Sequence, residues 1–247
     1  MVRRIVERPD LSAREVAMLQ ALHERKVVST KQMARLAGRF NPTISPRTTH
    51  RLLARLMRLK LVKTKDFIVS CKEYGYREKI WRISKAGIGR VILDENESFR
   101  ARKFWRDAFP SQTIPHILAV NDVENELGVA VEHEPKCHRK FSRTNQYFVT
   151  EDMTLKPDLF AEIDGRWRFF EIDMGSERAN RIVKKCELYI SYFNKTADSW
   201  KPNLPKAIWV VRNEARKALL TKRIRERLPR HWHLFPCALL SEIRGSL

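Results

Sequence analysis

The pattern of hydrophobic and polar positions divides the chain into two regions. In residues 12–59 apolar side chains recur at helical spacing and predict three helices, the third running from about Pro46 to Leu59. Two strand-like runs follow, Leu61–Val69 and Arg77–Ile83. The first region is therefore predicted to be three helices followed by a hairpin.

Two of these helices carry signals at their first residues. Ser12 followed by Glu15 has the spacing of a capping box. Ser45 is suited to cap the third helix, and Pro46 suits its first position. These signals predict where the first and third helices begin.

The second region alternates between helices and strands, which predicts a mixed α/β domain. The predicted elements in chain order are a helix at Pro115–Leu127, a strand at about Val129–Arg143, a hairpin at Lys156–Asp173 that turns at Asp164-Gly165, a helix at Glu177–Asn194, a strand at Lys206–Val211, a basic helix at Glu214–Leu228 and a strand at about His231–Leu240.

Acidic residues gather at one end of the predicted hairpin. Asp158 opens its first strand, and Glu171 and Asp173 close its second. Strand alternation places Glu171 and Asp173 on one face, in an otherwise apolar run. Neighbouring carboxylates repel one another unless a cation joins them, and hard cations such as Mg²⁺ favour such a cluster. A hairpin with solvated acids at its end is the alternative.

Two helical residues are candidates to complete this site. Glu124 lies seven residues after Ile117 and so shares the buried face of its helix, where a structural salt bridge is the alternative. Lys185 lies beside the core face of the next helix, one turn before Tyr189. A further metal site at Cys137-His138, with His133 nearby, lacks the second paired element that zinc sites carry.

Charge suggests the partner of the first region. The 247-residue chain has a formal net charge of +20, and residues 1–110 hold 26 basic and 11 acidic residues. Such a basic domain favours a polyanion, most simply nucleic acid. No apolar run approaches the roughly 20 residues that span a bilayer, and the start of the chain lacks the core of a signal peptide. We expect a cytoplasmic protein without membrane contact.

The third predicted helix carries an arginine stripe: Arg47, Arg51, Arg55 and Arg58 lie on one side, and no acid interrupts them. A solvated basic face is the alternative to phosphate contact. Three helices followed by a basic hairpin, closed by Ile83-Ser84-Lys85-Ala86-Gly87, resemble a winged-helix domain. The resemblance implies that the third helix enters the major groove of duplex DNA and that the hairpin touches backbone. The DNA-binding residues it implies are Arg47, Thr48, Thr49, His50, Arg51, Arg55, Arg58, Lys63, Lys65, Lys72 and Arg77.

The order of Pro157-Asp158, then Glu171, then a helix resembles the PD-(D/E)xK nuclease superfamily. The resemblance implies a restriction-endonuclease-like mixed sheet in which Asp158, Glu171 and Glu124 bind Mg²⁺ or Mn²⁺. Asp173 stands where that superfamily has its lysine, and Lys185 would replace it. An active site would make the protein a Mg²⁺-dependent endonuclease that cuts one or both strands. Loss of catalysis, with the fold kept as a scaffold, is the alternative.

The whole chain is similar to the replication-relaxation family of plasmid and mobile-element proteins. The similarity rests on His116-x-x-Ala-Val-Asn-Asp-Val, on Lys156-Pro-Asp-Leu-Phe, and on Phe170-Glu-Ile-Asp-Met-Gly-Ser-Glu followed by Lys185 and Tyr189. It implies a sequence-directed duplex-DNA-binding protein of the bacterial nucleoid or plasmid, acting in replication, mobilisation or cleavage. A DNA-binding accessory or transcriptional regulator is the alternative. Further partners would be replication, mobilisation or transposition proteins and a second copy of the chain. The expected layout is a winged helix at 1–93, a helical linker at 94–111 and the nuclease-like domain at 112–247.

Overall fold

The computed structural model describes residues 10–40, 45–69, 76–95, 114–144, 150–175, 177–200 and 203–243. The chain divides into two compact units, Met1–Leu118 and Ala119–Leu247. Most of the predicted linker at 94–111 falls outside the described residues. The described residues contain seven α-helices and three β-sheets, so the predicted mixed class of helices and strands is confirmed at that level.

The first unit has the predicted order of three helices and a hairpin, with a short strand between the first two helices and a fourth helix after the hairpin. Its elements are α1 (Ala13–Arg25), β1 (Val28–Ser29), α2 (Thr30–Phe40), α3 (Pro46–Arg58), β2 (Val62–Val69), β3 (Tyr76–Ile83) and α4 (Lys85–Glu95). The three strands form an antiparallel sheet in the order β1-β3-β2.

Helix capping starts α1 and α3 where the sequence predicts. The Ser12 hydroxyl accepts from the Glu15 backbone N–H at 3.4 Å, and the Glu15 carboxylate accepts from the Ser12 backbone N–H at 2.9 Å. The Ser45 hydroxyl accepts from the Thr48 N–H at 3.2 Å, and Pro46 is the first residue of α3. Both predicted caps are therefore confirmed.

Gly87 in α4 lies against the start of β2. A Cβ atom there would come within 2.2 Å of the Leu61 carbonyl oxygen and 2.7 Å of the Ile83 Cγ1 atom. Ser84 fixes the same junction, because its N–H donates to the Leu61 carbonyl at 2.8 Å and its hydroxyl donates to the Lys60 carbonyl at 2.6 Å. Only glycine permits this approach of helix and strand.

We expect Gly87→Ala to destabilise the first unit by about 1–3 kcal/mol, because the added methyl group overpacks a closed contact. Gly89→Ala is the matched control on the same helix, since nothing lies within 4 Å of its added Cβ. That control should stabilise the helix by roughly 0.5–1 kcal/mol. Urea denaturation of both variants measures the difference, and equal stability of the two would contradict the close packing of Gly87.

Helix α5 (Ile114–Leu127) crosses the division between the units. In the first unit, its residues Ile114 and Leu118 pack with Val27 and Ile80. The first residues of α5 therefore belong to the core of the first unit.

The second unit contains a mixed five-stranded sheet in the order β10-β9-β8-β7-β4. The β8, β9 and β10 strands are parallel, whereas β4, β7 and β8 pair antiparallel. Strands β5 and β6 form a separate antiparallel pair. The elements are β4 (Val131–His133), β5 (Arg139–Thr144), β6 (Thr150–Leu155), β7 (Leu159–Ile163), β8 (Arg166–Asp173), α6 (Ala179–Thr196), β9 (Lys206–Val211), α7 (Glu214–Arg227) and β10 (Cys237–Leu239).

Two strand predictions were wrong in this unit. The segment predicted as one strand at Val129–Arg143 is two strands in different sheets, separated by a turn that contains Pro135, which has no N–H for a ladder. The strand predicted at His231–Leu240 is a 3₁₀ turn at Trp232–Leu234 and the short β10.

Helices cover the two faces of the five-stranded sheet. The face that carries Phe169 packs against α6 and α7, through residues such as Tyr189 and Leu220. The opposite face, with Phe170 and Ile172, packs against α5 through Val123. Among the described residues, no helix has both the length and the apolar character needed to cross a bilayer.

Candidate functional site

The β7–β8 hairpin brings Asp158 beside Glu171. Leu159 pairs with Phe170, so Asp158 lies one residue before the strand and faces the end of β8. Its Oδ2 atom accepts from the Ile172 backbone N–H at 2.7 Å, and its own N–H donates to the Phe170 carbonyl at 3.1 Å. The predicted meeting of these two acids at one end of the hairpin is therefore observed.

Glu171 is held by two side chains of α6. Its side chain is 2% exposed, although β8 is otherwise apolar at this point. Lys185 Nζ donates to its Oε2 at 2.5 Å, and the Tyr189 hydroxyl donates to its Oε1 at 2.7 Å. Lys185 and Tyr189 are four residues apart, so they share one side of the helix. Both oxygens of the carboxylate are thus satisfied by protein donors.

The charges in this group act strongly on one another. Burial raises the pKa of Glu171 to about 8, although the ammonium of Lys185 acts in the opposite direction. Burial alone would lower the pKa of Lys185, but Glu171 and then Asp158 raise it above its ordinary value. Burial and the neighbouring Glu171 carboxylate raise the pKa of Tyr189. The influence of Asp158 on all three indicates one electrostatic cluster.

Asp173 belongs to a separate ion pair. Its side chain is buried, its Oδ2 accepts from Arg216 Nε at 2.5 Å, and its Oδ1 accepts from the Gly175 N–H at 2.9 Å. Arg216 also donates from Nη2 to the Glu177 carbonyl at 2.5 Å. Arg216 therefore clamps the loop between β8 and α6, and Asp173 anchors that clamp.

Glu124 contacts a histidine. It is 3% exposed on α5, and its Oε2 atom lies 3.2 Å from Nε2 of His133 in β4. Helix α5 packs on the face of the sheet opposite to α6, the helix that holds Glu171. The alternative reading of Glu124, a structural pair on the buried face of its helix, matches this contact.

Cys137 supports the chain just before Asp158. Its buried thiol donates to the Pro157 carbonyl at 3.0 Å, and burial raises its pKa to about 12. In the part of the chain that the structure describes, no three His, Cys, Asp or Glu side chains are grouped to hold a metal ion. Both oxygens of Glu171 accept from protein donors, and Glu124 lies on a helix at the other face of the sheet, so the structure does not group the three predicted ligands Asp158, Glu171 and Glu124.

In the first unit, the exposed side of α3 carries three of the four stripe arginines, Arg47, Arg51 and Arg58. His50 is also exposed and meets the Trp81 ring edge-on, with centroids 6.0 Å apart. Thr48 is half-buried, with its hydroxyl 3.1 Å from that of Ser45.

Thr49 is a correction to the predicted DNA-facing set. Its side chain is fully buried, and its hydroxyl donates to the Ser45 carbonyl at 3.2 Å. Helical geometry explains this, because Thr49, Leu53 and Leu56 follow the buried side of α3.

Arg55 differs from the other stripe arginines because it binds an acid of another helix. Its Nη1 donates to the buried carboxylate of Glu15 in α1, and its Nη2 donates to the Asp10 carbonyl at 3.3 Å. Burial would raise the pKa of Glu15, but the hydrogen bonds from Arg55 and Ser12 outweigh it and lower the pKa. Arg55 therefore stabilises the contact between α1 and α3.

The predicted hairpin contacts are only partly described. Lys63 and Lys65 are exposed on β2. Lys72 lies outside the described residues, and only the backbone of Arg77, which pairs with Ile68, lies inside them.

Sequence reasoning did not assign Arg216, Tyr189 or His133 to the acids that they contact, although it named the last two in other roles. Tyr189 had a local signal, because it lies one helical turn after Lys185. Arg216 and His133 had none, since each meets its acid only through the packing of elements that are distant in sequence.

Comparisons with known proteins agree with the resemblance seen in the motifs. The family model described as replication-relaxation matches residues 19–204. No curated protein matches the chain. The crystal structure of protein VC1899 from Vibrio cholerae aligns with 96% of this chain and 55% of that chain, at 12% identity and a TM-score of 0.34. The chain therefore spans about half the length of that protein, and this similarity is too low to indicate a shared function. Because the family match covers most of the residues of both units, this chain belongs to the replication-relaxation family.

Proposed function

We propose that this protein binds duplex DNA during the replication or relaxation of a plasmid or other mobile element. The observation that carries the proposal is the exposed side of α3, where Arg47, Arg51 and Arg58 project without any acid in their helix. Phosphate contact by such cations releases counterions and gives affinity that falls with salt.

The surrounding elements support duplex DNA as the ligand. Helix α3 follows α1 and α2 and precedes the β2–β3 hairpin, which is the element order of a winged-helix domain. In that arrangement the third helix reads the major groove, where His50 and Thr48 would lie next to Arg47 and Arg51. The exposed Lys63 and Lys65 on β2 would add backbone contacts.

The test compares Arg47→Ala/Arg51→Ala with the wild type, by fluorescence anisotropy on labelled duplex DNA across a range of salt. We expect weaker binding and a slope of log affinity against log salt that is reduced by about 1.8, because two phosphate contacts are lost. Lys140→Ala/Arg143→Ala, which removes two exposed charges of β5, is the matched control and should leave both quantities near the wild type. A folded Arg47→Ala/Arg51→Ala variant with wild-type affinity and slope would refute the assignment of α3. Arg55 is not suited to this test, since it also holds Glu15.

A divalent-metal-dependent DNA endonuclease is the second candidate. It is favoured by the proximity of Asp158, Glu171 and Lys185, the acids and the lysine that the nuclease resemblance implies. The present arrangement favours a DNA-binding accessory instead, because Lys185 pairs with one oxygen of Glu171 and the Tyr189 hydroxyl donates to the other. Mg²⁺ or Mn²⁺ at this site stays a prediction.

We expect the wild type to bind supercoiled DNA without nicking it in the presence of Mg²⁺ or Mn²⁺. Gel electrophoresis of plasmid incubated with the wild type, Asp158→Ala and Glu171→Gln checks this. Metal-dependent nicking by the wild type that both variants lose would establish the endonuclease and overturn the accessory role.

A further inference from the structure

The carboxyl-terminal end of α7 carries a second concentration of positive charge. Between residues 220 and 233 there are five basic side chains and a single acid, Glu226. The five are Lys222, Arg223, Arg225, Arg227 and Arg230. These basic residues belong to the second unit, whereas the arginines of α3 belong to the first.

Only part of this charge is neutralised by the protein. Lys222 and Arg223 lie 4.0 and 3.4 Å from Glu226, and these are exposed pairs that contribute little. Arg227 and Arg230 are exposed, and the described residues give neither of them an ion pair. Cations in the last turn of a helix favour its dipole, but that effect ends within one turn and does not reach Arg230, which follows the helix.

An exposed aromatic ring lies within the same surface. Trp232 is 40% exposed on the 3₁₀ turn after α7, and the guanidinium of Arg225 lies over its ring at 4.4 Å from the centroid. Exposed aromatic rings among backbone-neutralising cations are the combination that binds single-stranded nucleic acid, since bases stack on the rings and phosphates meet the cations.

A second exposed tryptophan, Trp167, differs from Trp232 in the charges around its ring. Trp167 is 39% exposed and stacks on Phe160 at 4.7 Å, so its exposure is nearly equal to that of Trp232. Its cross-strand partner, however, is Glu162, and the adjacent turn contains Asp164. Glu162 and Asp164 repel phosphate and outweigh the neighbouring exposed Arg166, so Trp167 lacks the positive excess that surrounds Trp232.

We propose that Arg225, Arg227, Arg230 and Trp232, here called the α7 surface, form a binding surface for single-stranded DNA. Arg227 and Arg230 contact phosphates, and the stacked pair of Arg225 and Trp232 receives an unpaired base. The ligand is single-stranded because a duplex hides the faces of its bases. This activity is additional to duplex binding by α3 and does not depend on it.

The experiment measures anisotropy of a fluorescein-labelled oligo(dT) with the full-length protein across a range of salt. We expect Arg227→Ala/Arg230→Ala to reduce the salt slope by about 1.4, the value for two phosphate contacts on a single strand. Trp232→Ala should weaken binding by roughly 5- to 150-fold, the range for one stacked base, and Trp232→Phe should retain most of the affinity. The matched controls, Lys140→Ala/Arg143→Ala and Trp167→Ala, should bind like the wild type.

Failure of the wild type to bind oligo(dT), or equal losses in the control variants, would overturn this surface. Duplex DNA in parallel separates the two proposals. If Trp232→Ala loses oligo(dT) while Arg47→Ala/Arg51→Ala leaves duplex binding intact, the α7 surface stands and the α3 assignment fails. If only the α3 variant changes binding, of either ligand, the α7 surface is refuted. Melting temperatures confirm that each variant is folded.

Discussion

Lys185→Met is expected to destabilise the folded protein by about 3–5 kcal/mol at pH 9, the usual cost of removing one partner of a buried ion pair. The carboxylate of Glu171 is 2% exposed and would keep only the hydroxyl of Tyr189 as a donor. The loss should shrink as the pH falls, because Glu171 then escapes its charge by protonation. Removal of Lys185, which lowers the pKa of Glu171, moves this protonation to a higher pH than in the wild type. Equilibrium urea unfolding, fitted with a separate transition for each unit, measures the change.

Two further variants make this test specific. Lys184→Met removes the same charge from an exposed neighbouring position and should change stability by less than about 0.5 kcal/mol. The double variant Glu171→Gln/Lys185→Met removes both charges and should recover most of the loss. If Lys185→Met costs no more than Lys184→Met at pH 9, the ion pair with Glu171 does not hold α6 to β8.

Raising the pH from 4.5 to 8 is expected to lower the stability of the wild type relative to Glu171→Gln. The pKa of Glu171 rises from 4.5 to about 8 on folding, so the folded form holds a proton that the unfolded chain releases in this window. The stabilisation is complete below pH 4.5 and is lost as pH rises through 8, with a total on the order of 4–5 kcal/mol. Glutamine has no proton to lose, and its curve lacks this component.

Unfolding free energies of both proteins between pH 4.5 and 9 provide the measurement. The difference between the two curves isolates Glu171, because all other titrating groups are common to both. Parallel curves across the window would show that burial does not raise the pKa of Glu171 in the folded protein.

The two acids at the end of β8, Glu171 and Asp173, are held by protein side chains. Lys185 and Tyr189 satisfy Glu171, and Arg216 satisfies Asp173. These contacts join the sheet to α6 and to the start of α7. Under the proposed DNA-binding role, function rests on the basic surfaces, which remain exposed.

Local sequence patterns predicted contacts correctly where the interacting residues are close in sequence. The turn at Asp164-Gly165 sets the register of the β7–β8 hairpin, and this register alone brings Asp158 next to Glu171. Capping signals placed the starts of α1 and α3, because a cap depends on residues three positions apart. The same reasoning failed at Val129–Arg143, where a continuous strand pattern could not show that the chain changes sheets.

The sequence by itself determined the charge of the chain, the buried faces of its helices and the meeting of Asp158 with Glu171, because each follows from composition or from short-range geometry. Only the tertiary structure decided what neutralises each acid. Arg216 reaches Asp173 across 43 positions, and Arg55 reaches Glu15 across 40. Periodicity tells that a side chain faces the core, but the partner it meets there depends on how distant elements pack. For that reason the sequence predicted the acids but not that lysine, tyrosine and arginine hold Glu171 and Asp173 in the folded protein.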